Sequence, residues 1–177
     1  MKLVLKMILC AGAAATLMSC SDKAAKNGEF KYLLDEFADV KVMRYQVPGW
    51  DALSLQQKEY VYHLAEAAKY GRDIIWMQNC RYNLDIRKML ENALENYSGD
   101  RTSDDFAKFE AYAKRVFFSN GIHHHYAEDK FMPECTREYF RTLMESVGES
   151  ERCAELIDVI YDPAVLPQRK STDKSGD

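Results

Sequence analysis

A series of short amphipathic segments between residues 54 and 161 constrains the fold of this chain more than any other feature. The clearest segment has apolar side chains every three or four residues, as one face of a helix requires: Ile86, Met89, Leu90, Ala93, Leu94 and Tyr97. Polar residues that commonly cap helices precede this and other segments: Ser54 (with Gln57 in a capping-box pattern), Asn83, Ser103, Thr136 and Ser150. This pattern predicts a mainly α fold, a compact array of several helices.

Two of these segments are expected to pack into the core. One face of the segment that follows Ser54 is apolar, and we expect it to be buried: Val61, Leu64, Ala65 and Ala68. The next segment, residues 72–79, is apolar nearly all round and therefore predicts a buried helix: Ile74, Ile75, Trp76 and Met77. Helices this short are marginal in isolation, so packing must stabilise them.

One strand is expected ahead of the helices. Residues 39–47 alternate in the period of a β-strand and end at Pro48-Gly49, whereas residues 30–37 are expected to form a short amphipathic turn or helix. A lone strand cannot satisfy its own backbone donors and acceptors. No later segment offers a convincing partner, so we expect a sheet that other polypeptide completes.

The first 29 residues are typical of an exported lipoprotein. Two lysines precede an apolar run over residues 7–18, which is too short to span a bilayer comfortably. Leu17-Met18-Ser19-Cys20 resembles a bacterial lipobox, which predicts a signal peptide over residues 1–19, a lipid on Cys20 and a polar tether over residues 20–29. The mature chain would then be membrane-anchored on the periplasmic or cell-surface side. The alternative is an ordinary signal peptide cut near the same place.

Charge and cysteine content exclude some classes of protein. The net charge of −4 leaves no electrostatic footprint for nucleic acid. Besides Cys20, the predicted mature chain keeps Cys80, Cys135 and Cys153, so at most one disulfide forms among these three. Their wide spacing matches no zinc-finger pattern, and at least two are expected to be buried thiols.

The sequence shows no catalytic motif. There is no His-Glu-x-x-His helix, no glycine-rich phosphate loop and no G-x-S-x-G turn, so no residue is assigned a catalytic role. His63 is the only histidine outside the cluster at residues 123–125, and a core or interface position is expected for it.

The run His123-His124-His125 is the one candidate metal site. In an extended segment His123 and His125 point to the same side, and Glu128 and Asp129 lie close enough in sequence to complete a ligand set. Adjacent histidines alone are a weak signal, because metal ligands also need supporting partners. His123 and His125 are therefore weak candidates, for which adventitious affinity is a simpler interpretation than a physiological metal.

Three motifs, in order along the chain, resemble the dipeptidyl peptidase III family of zinc peptidases. The first is similar to the bacterial branch and comprises Arg44-Tyr45-Gln46-Val47-Pro48-Gly49. The second resembles an early helix of the family and comprises Leu53-Ser54, Tyr60, Tyr62-His63-Leu64, Ala67-Ala68 and Tyr70-Gly71. The third resembles a helix–loop segment and comprises Ser119-Asn120-Gly121, Tyr126 and Lys130-Phe131-Met132-Pro133. The resemblance extends from residue 39 to at least residue 167.

This resemblance implies a two-lobed, zinc-dependent exopeptidase that releases dipeptides from the N-terminus of short peptides. In that family, zinc is held by a His-Glu-x-x-Gly-His helix and a downstream glutamate, and none of these occurs here. No catalytic or zinc residue is therefore carried over to this chain. The histidine run also stands where eukaryote-like members tend to have Asn-Tyr, which argues against an essential role for these histidines.

The chain is accordingly expected to be the N-terminal portion of a bacterial lipoprotein-type member, inactive by itself. Residues 30–161 would form the helical part of the lobe opposite the zinc-bearing lobe, and residues 162–177 a polar linker cut mid-run. Its partners would be the remaining C-terminal lobe, short peptide substrates and, through Cys20, a membrane. Two alternatives stay open: a non-enzymatic lipoprotein domain that binds peptides or proteins, and a metal-binding lipoprotein that uses the histidines.

Overall fold

A computed structural model describes residues 30–169 of the chain. The predicted signal peptide, Cys20 and the whole of the predicted tether lie outside the described residues, as does the end of the polar linker. Residues 33–169 belong to one compact unit, and Phe30 to Tyr32 fall outside it. The elements of this unit, in chain order, are β1 (Leu33–Phe37), β2 (Val40–Met43), a 3-10 turn (Trp50–Ala52), α1 (Leu55–Lys69), α2 (Arg72–Asn79), α3 (Asn83–Asn96), α4 (Asp104–Ser119), α5 (Arg137–Ser146) and α6 (Ser150–Tyr161).

The mainly α fold is confirmed, but the front of the chain differs from expectation. Strands β1 and β2 form an antiparallel hairpin in which Phe37 pairs with Val40 and Leu33 with Met43. Residues 33–37 are thus a strand rather than a turn or helix, and the second strand ends at Met43 rather than at residue 47. The expectation of an unpaired strand was wrong, because a two-residue turn at Ala38-Asp39 lets the preceding segment satisfy its backbone groups.

Helix boundaries follow the sequence signals at most positions. The capping box of Ser54 with Gln57 is formed, and Ser103 and Thr136 each accept a backbone N–H from the first turn of their helices. Ser150 is not a cap, since α6 begins at that residue and its N-cap is Glu149. The predicted cap Asn83 is likewise the first residue of α3, and its side chain is fully buried.

The core lies between the four helices α3 to α6. Its largest fully buried apolar side chains include Phe109 of α4, Phe140 of α5 and residues of α3 and α6: Ile86, Met89, Leu90 and Ile160. The rings of Phe109 and Phe140 meet edge to face with centroids 5.7 Å apart. Among the described cysteines, Cys135 and Cys153 are buried free thiols and Cys80 is a half-buried one, which confirms the expectation for at least two of them.

Helices α1 and α2 stand outside this core. No residue of α1 is buried, and Trp76 is the only buried residue of α2. The expectation of a buried face on α1 and of a fully buried α2 was therefore wrong, because no described segment covers these apolar positions. Within residues 30–169, every helix is too short or too polar to cross a membrane.

Candidate functional site

The corner that follows α4 holds three of the chain's four histidines. Helix α4 ends because Asn120 adopts a left-handed conformation with φ of 53°, as the Asn120-Gly121 signal predicts. The buried side chain of Asn83 supports the turn: its Oδ1 accepts the Ile122 backbone N–H at 3.2 Å, and its Nδ2 faces the Asn120 carbonyl at 3.5 Å. The corner is therefore a fixed structural element held by α3.

His123 is buried beneath this corner, with 4% of its surface exposed. Its Nε2 lies 2.9 Å from the carbonyl oxygen of Leu166, so it donates a hydrogen bond to that oxygen. Its Nδ1 is buried and has no hydrogen-bond partner among the described residues. Burial lowers the pKa of His123 because the protein interior disfavours the charged imidazolium. His123 is therefore a neutral core histidine in this fold.

The other two histidines are stacked on each other at the surface of the corner, with ring centroids 4.6 Å apart. The Nδ1 of His124 accepts the backbone N–H groups of Tyr126 and Ala127, at 3.2 and 2.9 Å. The Nδ1 of His125 lies 3.4 Å from the Ser119 hydroxyl. Burial and, to a smaller degree, the charge of His124 lower the pKa of His125. These contacts orient the rings and close the loop.

The structure does not bring the candidate metal ligands together. His123 is engaged by Leu166, Glu128 lies 3.7 Å from the guanidinium of Arg169, and Asp129 accepts a hydrogen bond from Gln168 at 3.2 Å. Within residues 30–169, no group of three or more histidine, cysteine, aspartate or glutamate side chains is placed to hold a metal ion. Metal affinity at His123 and His125 stays a prediction for solution experiments.

Lys130 makes contacts that no sequence motif predicts. Its ammonium donates to three backbone carbonyls, those of Val159 at 3.1 Å, of Val165 at 2.6 Å and of Asp162. Burial lowers the pKa of this lysine. The three carbonyls surround the C-terminal end of α6, where a positive charge is favourable. Lys130 thus ties the histidine corner to α6 and to the segment that follows it.

The second candidate is the exposed apolar set, which we define as six residues of α1 and α2. Their exposed fractions are all above two fifths: Leu55 72%, Val61 41%, Leu64 52%, Ile74 57%, Ile75 50% and Met77 58%. His63 is exposed on the same helix, so the expected core position is wrong for it, whereas an interface position is untested. An isolated exposed leucine needs no explanation, but a whole capped helix without one buried residue does.

Trp76 attaches α2 to the core on one side only. Its ring contacts Phe117 edge to face at 6.3 Å, and the Arg87 guanidinium lies 5.6 Å from the ring centroid. Arg87 is held in turn by Asp73 at 2.6 Å and Glu91 at 2.8 Å. Helix α2 is thus fixed in position, while its other apolar side chains face away from the core helices.

Comparison with known proteins places the chain in no family: no protein-family model matches it, and none of the curated proteins is significantly similar to it.

Proposed function

We propose that this chain is the N-terminal portion of an exported, zinc-dependent exopeptidase of the dipeptidyl peptidase III type. The complete protein would release dipeptides from the N-terminus of short peptides. This portion would supply helices of the lobe opposite the zinc-bearing lobe and would be inactive by itself. The three motifs described above, in order between residues 44 and 133, support the proposal from sequence.

The single structural observation that carries the proposal is the exposed apolar set on α1 and α2. Helix α1 begins with a complete capping box, so its sequence is suited to a stable helix. A 15-residue helix is nonetheless marginal in water without tertiary packing. If further polypeptide of the same lobe covered α1 and α2, its packing would supply the stability that a capped helix of this length lacks by itself.

Within residues 30–169, the candidate ligand side chains are not gathered into a zinc site. The described part of the chain gathers no set of metal-binding side chains, and His123, the most buried histidine, already donates to a backbone carbonyl. In the proposed protein, zinc would belong to the remaining C-terminal lobe. The β1–β2 hairpin also removes one reason for expecting missing polypeptide, because the strand pairs with its neighbour. The proposal rests on the motifs and on the exposed apolar set.

An activity assay tests the proposal that the catalytic zinc site lies outside this chain. The purified 177-residue chain, supplied with zinc and a short peptide, should release no dipeptide above a protein-free control. Robust zinc-dependent release would overturn the claim that the catalytic metal site lies elsewhere. Reading the coding sequence beyond residue 177 tests the family directly, since we expect an open frame that leads to a His-Glu-x-x-Gly-His motif.

The exposed apolar set also favours a second candidate, a non-enzymatic lipoprotein domain that binds a protein or peptide. Leu64→Lys and Ile74→Lys separate the two proposals, because both side chains are more than half exposed and neither change should lower the thermal unfolding midpoint. If the chain is part of a larger lobe, the unmodified chain self-associates and these variants reduce that association. A stable unmodified monomer favours the interaction domain. Lys69→Glu, a polar surface change on α1, is the control.

The proposed membrane anchor is tested separately at Cys20. In cells fed a labelled fatty acid, the unmodified protein should carry the label and partition into the membrane fraction. Cys20→Ser should lose both properties if the lipobox is used. A Cys20→Ser protein that is exported and released normally, alongside an unlabelled parent, would identify an ordinary signal peptide instead.

A further inference from the structure

A cleft of about 450 Å³ lies between the α2–α3 junction and the segment that follows α6. Residues 79–82 form one wall, Val165 and Leu166 contribute apolar side chains, and His123 also lines the cleft. This volume falls within the usual range for small-molecule sites, about 300–1,000 Å³. The cleft is separate from the exposed apolar set, so its occupant is a different question from what covers α1.

The polar groups of the cleft are hydrogen-bond donors and cations. Arg81 and Arg169 line it together with the side chains of Asn79 and Gln168, and none of the described lining residues is acidic. The guanidinium of Arg81 lies over the Tyr82 ring at 4.5 Å, which fixes its position beside the cleft. Such a planar, permanently charged donor matches the geometry of a carboxylate.

Arg169 places a positive charge beside the cleft, although its guanidinium has protein partners. Its Nη2 lies 3.7 Å from Glu128, and its Nη1 lies 3.5 Å from Oδ1 of Asn79. Arg81 is an exposed residue, so its guanidinium is accessible from the cleft. His123 offers no donor to the cleft, because its Nε2 proton is donated to the Leu166 carbonyl and its Nδ1 is buried.

We propose that this cleft binds a small organic carboxylate, with the carboxylate between Arg81 and Arg169 and an apolar body against Val165 and Leu166. A monoanion with an apolar body fits the two guanidiniums and the aliphatic wall better than a multiply charged phosphate does. Arg81 supplies the hydrogen-bond donors to the carboxylate, and Arg169 supplies the second positive charge.

Alkylation of Cys80 provides a direct readout, because this half-buried thiol lines the cleft whereas Cys135 and Cys153 are buried in the core. The full chain is treated with iodoacetamide with and without 3-phenylpropanoate, and modification at each cysteine is followed by peptide mass mapping. We expect 3-phenylpropanoate to slow the alkylation of Cys80 with half-protection below about 10 mM, a typical affinity for so small a ligand.

Two controls isolate the carboxylate. The neutral 3-phenylpropanamide has the same shape and should protect Cys80 at least about tenfold less well, because it cannot form charge-assisted bonds with the guanidiniums. Arg81→Gln should weaken protection by 3-phenylpropanoate by a similar factor, and Arg169→Gln should do so if its melting temperature shows that it folds. Lys58→Gln on α1 should leave protection unchanged.

Three results would overturn the proposal. The first is no protection of Cys80 by the carboxylate, and the second is equal protection by the amide. The third is unchanged protection in Arg81→Gln, whose exposed side chain is not needed for folding. Inorganic phosphate tests the ligand class: equal protection by phosphate would replace the organic carboxylate with a general oxyanion and so contradict the assigned role of the apolar wall.

Discussion

The ammonium of Lys130, which ties the histidine corner to α6, gives the sharpest stability prediction. Lys130→Met keeps the length and apolar stem of the side chain but removes the ammonium. Three backbone carbonyls then lose a donor at once: Val159, Asp162 and Val165. Because Val159 is itself buried, water replaces the lost donor poorly at that carbonyl.

The expected effect is large for a single substitution. A hydrogen bond to a charged group contributes about 1.5–3 kcal/mol, but three bonds to one ammonium are not additive, and the buried lysine carries a desolvation cost that its removal relieves. We therefore expect Lys130→Met to lower the free energy of unfolding by about 2–4 kcal/mol. Local opening should increase most at the end of α6 and in residues 162–169.

Urea denaturation of the full chain measures this change, and hydrogen exchange locates it. Amides near Lys130 and the segment that follows α6 should exchange faster in the variant, while those in α5 should change only with global stability. Lys69→Met, at an exposed position of α1, is the matched control and should leave the unfolding midpoint unchanged. A change below about 0.5 kcal/mol in Lys130→Met would refute the reasoning, since that is the usual range for an unimportant surface site.

Three further predictions test the corner and the first helix. In His123→Gln, the free energy of unfolding should fall less as the pH is lowered. Burial lowers the pKa of His123, so the neutral side chain stabilises the fold at pH values above the ordinary histidine pKa. This stabilisation is lost as the pH falls through the lowered pKa of the folded state. Gly121→Ala should lower the free energy of unfolding by about 2 kcal/mol, because the new Cβ would lie 2.1 Å from the buried Asn83 amide. Ser54→Ala should speed amide exchange in the first turn of α1, by loss of about 1 kcal/mol of capping, without shifting the global unfolding midpoint.

Matched controls separate these effects from unspecific ones. His63→Gln replaces an exposed histidine and should leave the free energy of unfolding unchanged. Gly71→Ala meets only the Ala68 carbonyl at 3.6 Å, an ordinary contact, and should be tolerated. If Gly71→Ala proves as damaging as Gly121→Ala, contact with the buried asparagine is not the cause. If Ser54→Ala shifts the global midpoint, α1 is more tightly coupled to the core than its exposure indicates.

The helices themselves were predictable because their signals are local. A cap such as Ser103 needs only the backbone N–H three residues ahead, and the stop at Asn120 needs only a residue that tolerates a positive φ. The hairpin was missed for a related reason. Residues 30–37 carry apolar side chains at helical spacing, and only pairing with residues 40–43 across a two-residue turn makes the extended form stable.

The candidate site was less predictable, because burial depends on partners far away in sequence. His123 lies 43 residues from the Leu166 carbonyl that accepts its hydrogen bond, so its burial could not be predicted from its neighbours in sequence. Asn83 looked like a helix cap, yet it supports a turn 39 residues away. Contacts between residues this far apart cannot be predicted from the pattern of neighbouring residues.

The sequence by itself determined which segments become helices and which of their faces are apolar, since propensity, capping and periodicity are properties of neighbouring residues. Only the tertiary structure decided which of those faces are covered. The stripe beginning at Ile86 lies in the core because α4, α5 and α6 pack against it, whereas the smaller apolar face of α1 meets no described partner and is exposed. Burial is a property of two surfaces, and a sequence pattern describes one of them at a time.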